Sequence, residues 1–151
     1  MRYPNYFNIY NASAGTGKTF NLVKDYLVLI IRSNNIVLFK KILVITFTNK
    51  AVNEMKSRIM KYLIAYANSN ELDNIMLEMI MDETGLAKIE VFSKSLNILK
   101  NIIKNYSDFE ISTIDKFTQK IIRNFTYELG INSKYEVQID QDEILKKSVD
   151  N

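Results

Sequence analysis

A loop of small residues that ends in Gly17, Lys18 and Thr19 carries the residue types that bind phosphate. The stretch NASAGTGKTF at residues 11–20 fits the P-loop pattern, with Ala12 at the position of the first glycine. Small residues let successive backbone N–H groups turn toward phosphate oxygens, and a following helix N-terminus adds a positive dipole. The predicted nucleotide-binding residues are Ala12, Ser13, Ala14, Gly15, Thr16, Gly17, Lys18 and Thr19. Lys18 and Thr19 are also the predicted catalytic residues, because Lys18 would contact the phosphates and the Thr19 hydroxyl would ligate Mg²⁺.

A second cluster of polar residues follows an apolar run in the sequence and contains the side-chain types that bind unpaired nucleic acid. The stretch ITFTNKAVNEMKSRI at residues 45–59 places Thr46, Phe47, Thr48, Asn49 and Lys50 in succession. An aromatic ring, short hydrogen-bonding side chains and a cation are what single-stranded DNA binders use. In an arbitrary sequence the same residues would simply end a core strand and begin a solvated helix.

Composition excludes several kinds of chemistry. The 151-residue chain contains no cysteine and no histidine, so disulfides, thiolate metal sites and imidazole bases are ruled out. The net charge of +3 is uneven, because residues 1–66 carry +8 and residues 67–151 carry −5. A basic first part suits a polyanionic partner. No apolar run is long enough to span a membrane and no signal peptide is seen, so a cytoplasmic protein without a membrane partner is expected.

Strands and helices alternate along the chain. Strands are predicted at 6–12, 41–47 and 109–114, with 135–139 as a short strand or an extended linker. Helical spacing of apolar residues predicts helices from Thr19 to about residue 32, along 51–66, before Gly85, along 96–106, and from Phe117 to Gly130, with a last helix over 141–149. The predicted core positions of these helices are Leu22, Val23, Tyr26, Leu27, Ile30, Ala51, Met55, Ile59, Tyr62, Tyr66, Leu96, Leu99, Ile102, Ile103, Tyr106, Phe117, Ile121, Ile122, Phe125 and Leu129.

This alternation predicts an α/β fold with a mostly parallel sheet flanked by helices. In such sheets ligands bind beyond the carboxyl ends of the strands. Residues 12–19, 46–50 and 112–117 each follow a predicted strand directly. We therefore expect the phosphate loop and the nucleic-acid loop to open at the same edge.

Three stretches together resemble a known family. ASAGTGKTF, ILVITFTNKAVNEMKSRI and ISTIDKFTQKIIRNF are similar, in order, to motifs I, Ia and Ib of the UvrD/RecB-type superfamily 1 DNA helicases. The compact first motif near Met1 looks closest to the RecB/AddA-like branch. The resemblance implies a P-loop NTPase fold of the RecA-like type, ATP and Mg²⁺ as cofactors, and single-stranded or duplex DNA as partner.

The resemblance also assigns roles to residues. It makes Thr46, Phe47, Thr48, Asn49 and Lys50 contacts to single-stranded DNA. In the third motif it implicates Thr113 and Phe117, with Lys116 and Arg123 as further candidates. Asp115 stands where many relatives carry histidine, and a carboxylate would repel phosphate, so capping the helix that begins there is its expected role.

The Asp-Glu pair with which this family hydrolyses ATP (Walker B) is not found on a buried strand. Asp82-Glu83 falls between the second and third motifs, and the acidic residues after 135 follow an alternating pattern, so both read as solvated acidic surface. The chain is therefore expected to be the N-terminal part of a helicase, with residues 1–125 in domain 1A and residues 126–151 entering the 1B insertion. On its own it should not turn over ATP.

The intact protein is thus predicted to be an ATP-dependent DNA helicase or translocase in recombination and repair, with a possible nuclease domain or nuclease partner. Two alternatives stay open. A small P-loop phosphotransferase such as a nucleotide kinase would suit the length, yet the arginines that it needs are few and scattered. A non-catalytic nucleic-acid-binding remnant is the other.

Overall fold

Helices make up most of the described part of the chain. The computed structural model describes residues 17–128 and 130, and in them five α-helices accompany two short strands. In chain order these are α1 Lys18–Arg32, β1 Val44–Thr46, α2 Asn49–Ala67, α3 Asn74–Thr84, α4 Lys88–Lys104, β2 Ile111–Thr113 and α5 Ile114–Asn124, with single 3₁₀ turns at Leu38–Lys41 and Tyr106–Asp108. The chain divides into two compact units, Met1–Ile114 and Asp115–Asn151. None of the helices described is long and apolar enough to cross a membrane.

The two strands lie side by side and run parallel. Val44 pairs with Ile111, Ile45 with Ser112, and Thr46 with Thr113. The carboxyl ends of both strands therefore meet at one edge, as the sequence predicts. Both strands are shorter than expected, because the regular ladder covers three residues of each. The continuous apolar run KILVITF at residues 41–47 is typical of a strand buried on both faces, but β1 is not, since Ile45 is exposed and β2 is its one partner within residues 17–128.

Helices α1 and α2 supply much of the core of the first unit. Val23, Tyr26, Leu27 and Ile30 of α1 are buried as predicted, whereas Leu22 is exposed. Along α2 the predicted positions Met55, Ile59 and Tyr66 are buried, and Ala51 and Tyr62 are half-buried. Spacings of three and four residues thus placed both helices correctly on the core.

Helix α3 is the short helix expected before Gly85. The Asp73 carboxylate accepts the Met76 N–H at 3.2 Å at its start, and Gly85, with φ 71°, ends it. Asp82 and Glu83 lie on the exposed side of its last turn. The prediction that this acidic pair is surface and not a strand end is confirmed.

Helix α4 buries a different face from the one predicted. Leu99 and Ile102 are buried, but Leu96 and Ile103 are exposed, and Tyr106 lies in the 3₁₀ turn beyond the helix. The residues that do pack inward are Val91, Ser95, Ile98, Leu99 and Ile102. Leu96 and Ile103 are apolar but lie beside the buried face, so spacing alone selected a stripe rotated by roughly 60° that shares only Leu99 and Ile102 with the buried one.

Helix α5 was predicted to bury Phe117, Ile121, Ile122 and Phe125 and to run to Gly130. It ends at Asn124, and none of its residues is buried; Ile121 and Phe125 are exposed. The helix is amphipathic, as the spacing predicts. Beyond it, the described part of the second unit contains only the turn at residues 125–128 and 130. Leu129, the strand at 6–12, the segment at 135–139 and the helix at 141–149 lie outside the described residues.

Candidate nucleotide and nucleic-acid site

The first turn of α1 presents the end of the phosphate loop. Gly17 is the residue before the helix, and its backbone is left-handed, with φ 78° and ψ 16°. A Cβ built at Gly17 would meet no heavy atom within 4 Å, so the backbone conformation, not crowding, requires glycine here. The Asn21 N–H donates to the Gly17 carbonyl at 3.0 Å and closes the first helical turn. The backbone N–H groups that precede Asn21 point out of the helix end, where they can bind an anion.

A cavity of about 280 Å³ opens at this helix end. The described residues that line it are Gly17, Lys18, Thr19 and Phe20 from the start of α1 and Arg58 from α2. Two cations and no carboxylate contribute to this described lining, so the cavity suits an anion. The sequence resemblance did not assign Arg58 to this site.

Arg58 forms a weak ion pair with Glu54. Its Nη2 lies 2.7 Å from Glu54 Oε1, one helical turn earlier on α2, and both side chains are close to half exposed. An exposed pair of this kind contributes at most about 1 kcal/mol. A phosphate in the cavity can therefore compete with Glu54 for the guanidinium, which favours bidentate contacts with phosphate.

The chemistry of this cavity fits the phosphates of a nucleotide and, less completely, a Mg²⁺ ion. Among the described lining residues, Thr19 is the one that carries a side-chain hydroxyl, an oxygen that can ligate Mg²⁺. Across residues 17–128 and 130, no group of three or more acidic side chains comes together to hold a metal. A magnesium ion would then depend on phosphate and water oxygens for its other ligands, as Mg²⁺ commonly does in nucleotide sites. Ala12, Ser13, Ala14, Gly15 and Thr16 lie outside the described residues.

The loop after β1 exposes one aromatic ring between two anchored threonines. The Thr46 hydroxyl donates to the Thr48 carbonyl at 3.2 Å, and the Thr48 hydroxyl accepts the Ala51 N–H at 3.1 Å. Between them the Phe47 side chain is 86% exposed. Because both neighbours are tied to the backbone, the ring is presented at a fixed place, which suits stacking on an unpaired base.

Asn49 and Lys50 form the first turn of α2 and are both exposed. The N-terminus of this helix favours negative charge, and Lys50 adds a full positive charge beside it. The five residues predicted from the second motif thus form a loop and a helix start, with an exposed ring beside a cation and a helix N-terminus.

The residues predicted from the third motif are placed less favourably. Thr113 pairs with Thr46 across the sheet but is only 5% exposed, which leaves little surface for a ligand. Phe117 is half-buried on α5, in the second unit. Asp115 lies within the first turn of α5 and does not precede it, so it interacts with the helix dipole and is not the residue before the helix.

One feature that sequence reasoning missed joins α1 to the end of α3. Glu83 pairs with Lys24, and its backbone carbonyl accepts from Arg32. Lys24 also lies 3.2 Å from Asp25. Burial lowers the pKa of the Lys24 ammonium, but the hydrogen bonds to Glu83 and Asp25 outweigh it and the pKa is raised. The acidic surface at Glu83 thus fixes the helix that carries the phosphate loop.

Comparison with known proteins identifies the family. The chain matches the UvrD/REP helicase N-terminal domain over residues 4–151. It is 32% identical over 139 residues to an ATP-dependent helicase/nuclease subunit from Bacillus cereus strain AH187, a match that covers 91% of this chain and 9% of that protein. It is 33% identical over 140 residues to the protein of the same name from Pediococcus pentosaceus, a match that covers 92% of this chain and 10% of that protein.

The chain thus spans about a tenth of the length of these relatives. No solved structure was found to match it. The family match extends over nearly the whole sequence and includes the phosphate loop, the exposed Phe47 loop and β2 with α5. The chain therefore belongs to the UvrD/REP helicase N-terminal domain family.

Proposed function

We propose that this chain is the ATP- and single-stranded-DNA-binding part of an ATP-dependent DNA helicase or translocase that acts in recombination and repair. Residues 1–125 would form the first part of a RecA-like P-loop domain, and residues 126–151 would begin its 1B insertion. The observation that most supports the proposal is the parallel pairing of Thr46 with Thr113, because residues 46–50 then lie at the carboxyl edge of a parallel sheet, where such folds bind ligands.

In this proposal the cavity at the start of α1 holds the phosphates of ATP. Gly17 allows the turn, the N–H groups of the first helical turn and Lys18 bind phosphate oxygens, and Arg58 approaches from α2. Thr19 would hold Mg²⁺, which supplies neutralisation of the phosphate charge when it is bound. Residues Ala12 to Thr16 would complete the loop.

The loop after β1 binds single-stranded DNA in the same proposal. Phe47 stacks on a base, while Lys50, Asn49 and the α2 N-terminus contact the sugar-phosphate backbone. Thr46, Thr48 and Thr113 hold this loop in place, because they lie at the paired strand ends and at the helix start.

Helix α2 links the two sites. Its N-terminus carries the DNA-binding loop, and Arg58 lies nine residues after Asn49, or about 13 Å along the same helix. ATP binding and DNA binding would therefore act on opposite parts of one rigid element. The nuclease named in the relatives suggests a nuclease domain or a nuclease partner in the intact protein.

The test uses the 151-residue chain with a fluorescent ATP analogue in Mg²⁺ and a labelled oligo(dT). Lys18→Ala should abolish nucleotide binding and leave DNA affinity unchanged. Phe47→Ala should weaken DNA binding and leave nucleotide affinity unchanged. Lys100→Ala, an exposed lysine on α4, is the matched control.

Three results would contradict the proposal. Nucleotide binding without DNA binding would favour the phosphotransferase alternative. DNA binding without nucleotide binding would favour the non-catalytic remnant. Measurable ATP turnover by the chain alone would refute its expected inactivity, which follows because Asp82-Glu83, the one adjacent Asp-Glu pair within residues 17–128, ends a helix.

A further inference from the structure

Three charged residues of alternating sign lie along α2, between the two proposed binding sites. Lys50, Glu54 and Arg58 follow one another at intervals of four residues, and all three side chains are exposed. At 3.6 residues per turn each is displaced by about 40° and about 6 Å from the one before, so together they form a continuous row about 12 Å long. Lys50 is proposed to contact the DNA backbone, and Arg58 lines the cavity proposed to hold phosphate.

Glu54, the middle residue of this row, can pair with either neighbour but is engaged with one. Its Oε1 lies 2.7 Å from Arg58 Nη2, and within residues 17–128 it forms no ion pair with Lys50. Residues four apart on a helix have Cβ atoms about 5–6 Å apart, so Lys50 is also within reach of the Glu54 carboxylate. The pair that forms is the better oriented of the two, because an acid that precedes its cation along a helix is favoured over the reverse order.

A phosphate in the cavity at the start of α1 would draw Arg58 away from Glu54. Water screens their attraction, because both side chains are close to half exposed. A guanidinium forms stronger, bidentate hydrogen bonds with phosphate, and the described lining of the cavity holds no carboxylate that would repel the anion. Glu54 is then left as an unpaired carboxylate one helical turn from Lys50, where it can pair with the ammonium and repel a phosphate of bound DNA.

We propose that Glu54 is a positioning residue that exchanges partners between the two sites, an inference that rests on the proposed function. Without nucleotide, Glu54 holds Arg58 and leaves Lys50 to the DNA backbone. With phosphates bound, Glu54 turns to Lys50 and weakens the contact of Lys50 with DNA. The linkage is reciprocal, so DNA bound at Lys50 lowers the affinity for nucleotide by the same factor. Exposed pairs at this spacing are weak, and the expected factor is therefore about two.

The direction of the effect of Glu54→Gln tests this exchange. Both cations lose a competitor when the carboxylate is removed, so the affinities for a non-hydrolysable ATP analogue and for oligo(dT) should each rise about twofold. The analogue should also no longer lower the affinity for oligo(dT). A residue that only supported the fold would lower both affinities when replaced. Glu78→Gln, which removes an exposed acid on α3, is the matched control and should leave both affinities and their coupling as they are.

Arg58→Gln gives an independent test, because it releases Glu54 without any nucleotide. Its affinity for oligo(dT) should fall about twofold. Lys61→Gln, which removes an exposed cation one turn further along α2, should have a smaller effect. The double variant Glu54→Gln/Arg58→Gln should bind oligo(dT) at least as tightly as the unaltered chain. Fluorescence anisotropy at low salt, with and without the ATP analogue in Mg²⁺, measures these affinities, and thermal unfolding checks that each variant is folded.

The failure of this exchange and the failure of the proposed function give different results. If the unaltered chain binds both ligands but the ATP analogue leaves oligo(dT) affinity unchanged, the exchange is refuted and the proposed function stands. A fall of both affinities in Glu54→Gln, an equal rise in Glu78→Gln, or a loss in Arg58→Gln that the double variant does not restore also overturns the exchange. If the unaltered chain binds only one ligand or neither, both proposals fail.

Discussion

The Thr48 hydroxyl accepts the Ala51 N–H at 3.1 Å and thereby fixes the start of α2 directly beside the exposed ring of Phe47. This hydrogen bond satisfies one of the N–H groups that a helix start leaves without a partner. The Thr46 hydroxyl reinforces it by donating to the Thr48 carbonyl. The loop proposed to bind DNA is thus ordered before any ligand arrives.

Replacing Thr48 by Ala should cost about 1 kcal/mol of unfolding free energy, because the helix cap is lost. Oligo(dT) affinity should fall as well, since Phe47 is no longer held in place. Thr48→Ser keeps the hydroxyl and should preserve both. Urea unfolding and fluorescence anisotropy measure the two effects. Equal behaviour of the Ala and Ser variants would exclude the cap as the cause.

Arg58→Gln should weaken binding of the ATP analogue by about tenfold, because one charge-assisted contact to a phosphate is removed. Its exposed pair with Glu54 is weak, so stability should change little. Lys61→Gln, an exposed cation one turn further along α2, is the control. A nucleotide titration at low salt provides the measurement. An effect of the same size in both variants would show only a general loss of positive charge.

Lys94 caps the C-terminus of α1, the helix that follows the phosphate loop. Its Nζ donates to the Ile31 carbonyl at 3.0 Å, to the Ser33 carbonyl at 3.2 Å and to Asn34 Oδ1 at 3.4 Å. Lys94→Met should therefore destabilise the chain by about 1–2 kcal/mol, since a cation at a helix C-terminus and its hydrogen bonds are lost. Lys100→Met should be nearly neutral in the same thermal unfolding experiment. Equal melting temperatures for the two variants would contradict this role.

Alkaline pH should destabilise the protein through its tyrosines. Burial and the hydrogen bond to Asp73 raise the pKa of Tyr62 to about 12, and burial also raises the pKa values of Tyr26 and Tyr66. The unfolded chain loses these protons near pH 10 while the folded chain keeps them, so stability present below pH 10 falls as pH rises toward 12.

Tyr62→Phe should make that loss of stability between pH 10 and 12 shallower. Tyr106→Phe, at an exposed ring, is the comparison and should leave the slope as it is. Urea unfolding at several pH values gives the free energies. If Tyr62→Phe leaves the slope of unfolding free energy against pH unchanged, the raised pKa of Tyr62 in the folded chain is refuted.

The sequence predicted most of the helices within residues 17–128 because helix formation depends on local spacing. Val23 and Ile59 were assigned to the core from periods of three and four, and Gly85 from its role as a helix end. The buried side of α4 was predicted only at Leu99 and Ile102, because Leu96 is apolar and borders that side, and only tertiary packing selects Ser95 and Ile98 over it.

The site was predictable in part for the same reason. Phe47 and Lys50 are neighbours in the chain, so their grouping after β1 could be read directly. Arg58 lines the cavity at the start of α1 only because α2 packs beside α1. This contact between residues distant in sequence cannot be predicted from the spacing of the motif.

Helix α2 is unbroken from Asn49 to Ala67, with Arg58 near its middle and Phe47 two residues before its start. Asn49 and Arg58 are about 13 Å apart along the helix axis. Under the proposed function, a shift of α2 as phosphates draw in Arg58 would also shift the Thr48 cap and the adjoining Phe47 loop, because the intervening residues form one continuous helix.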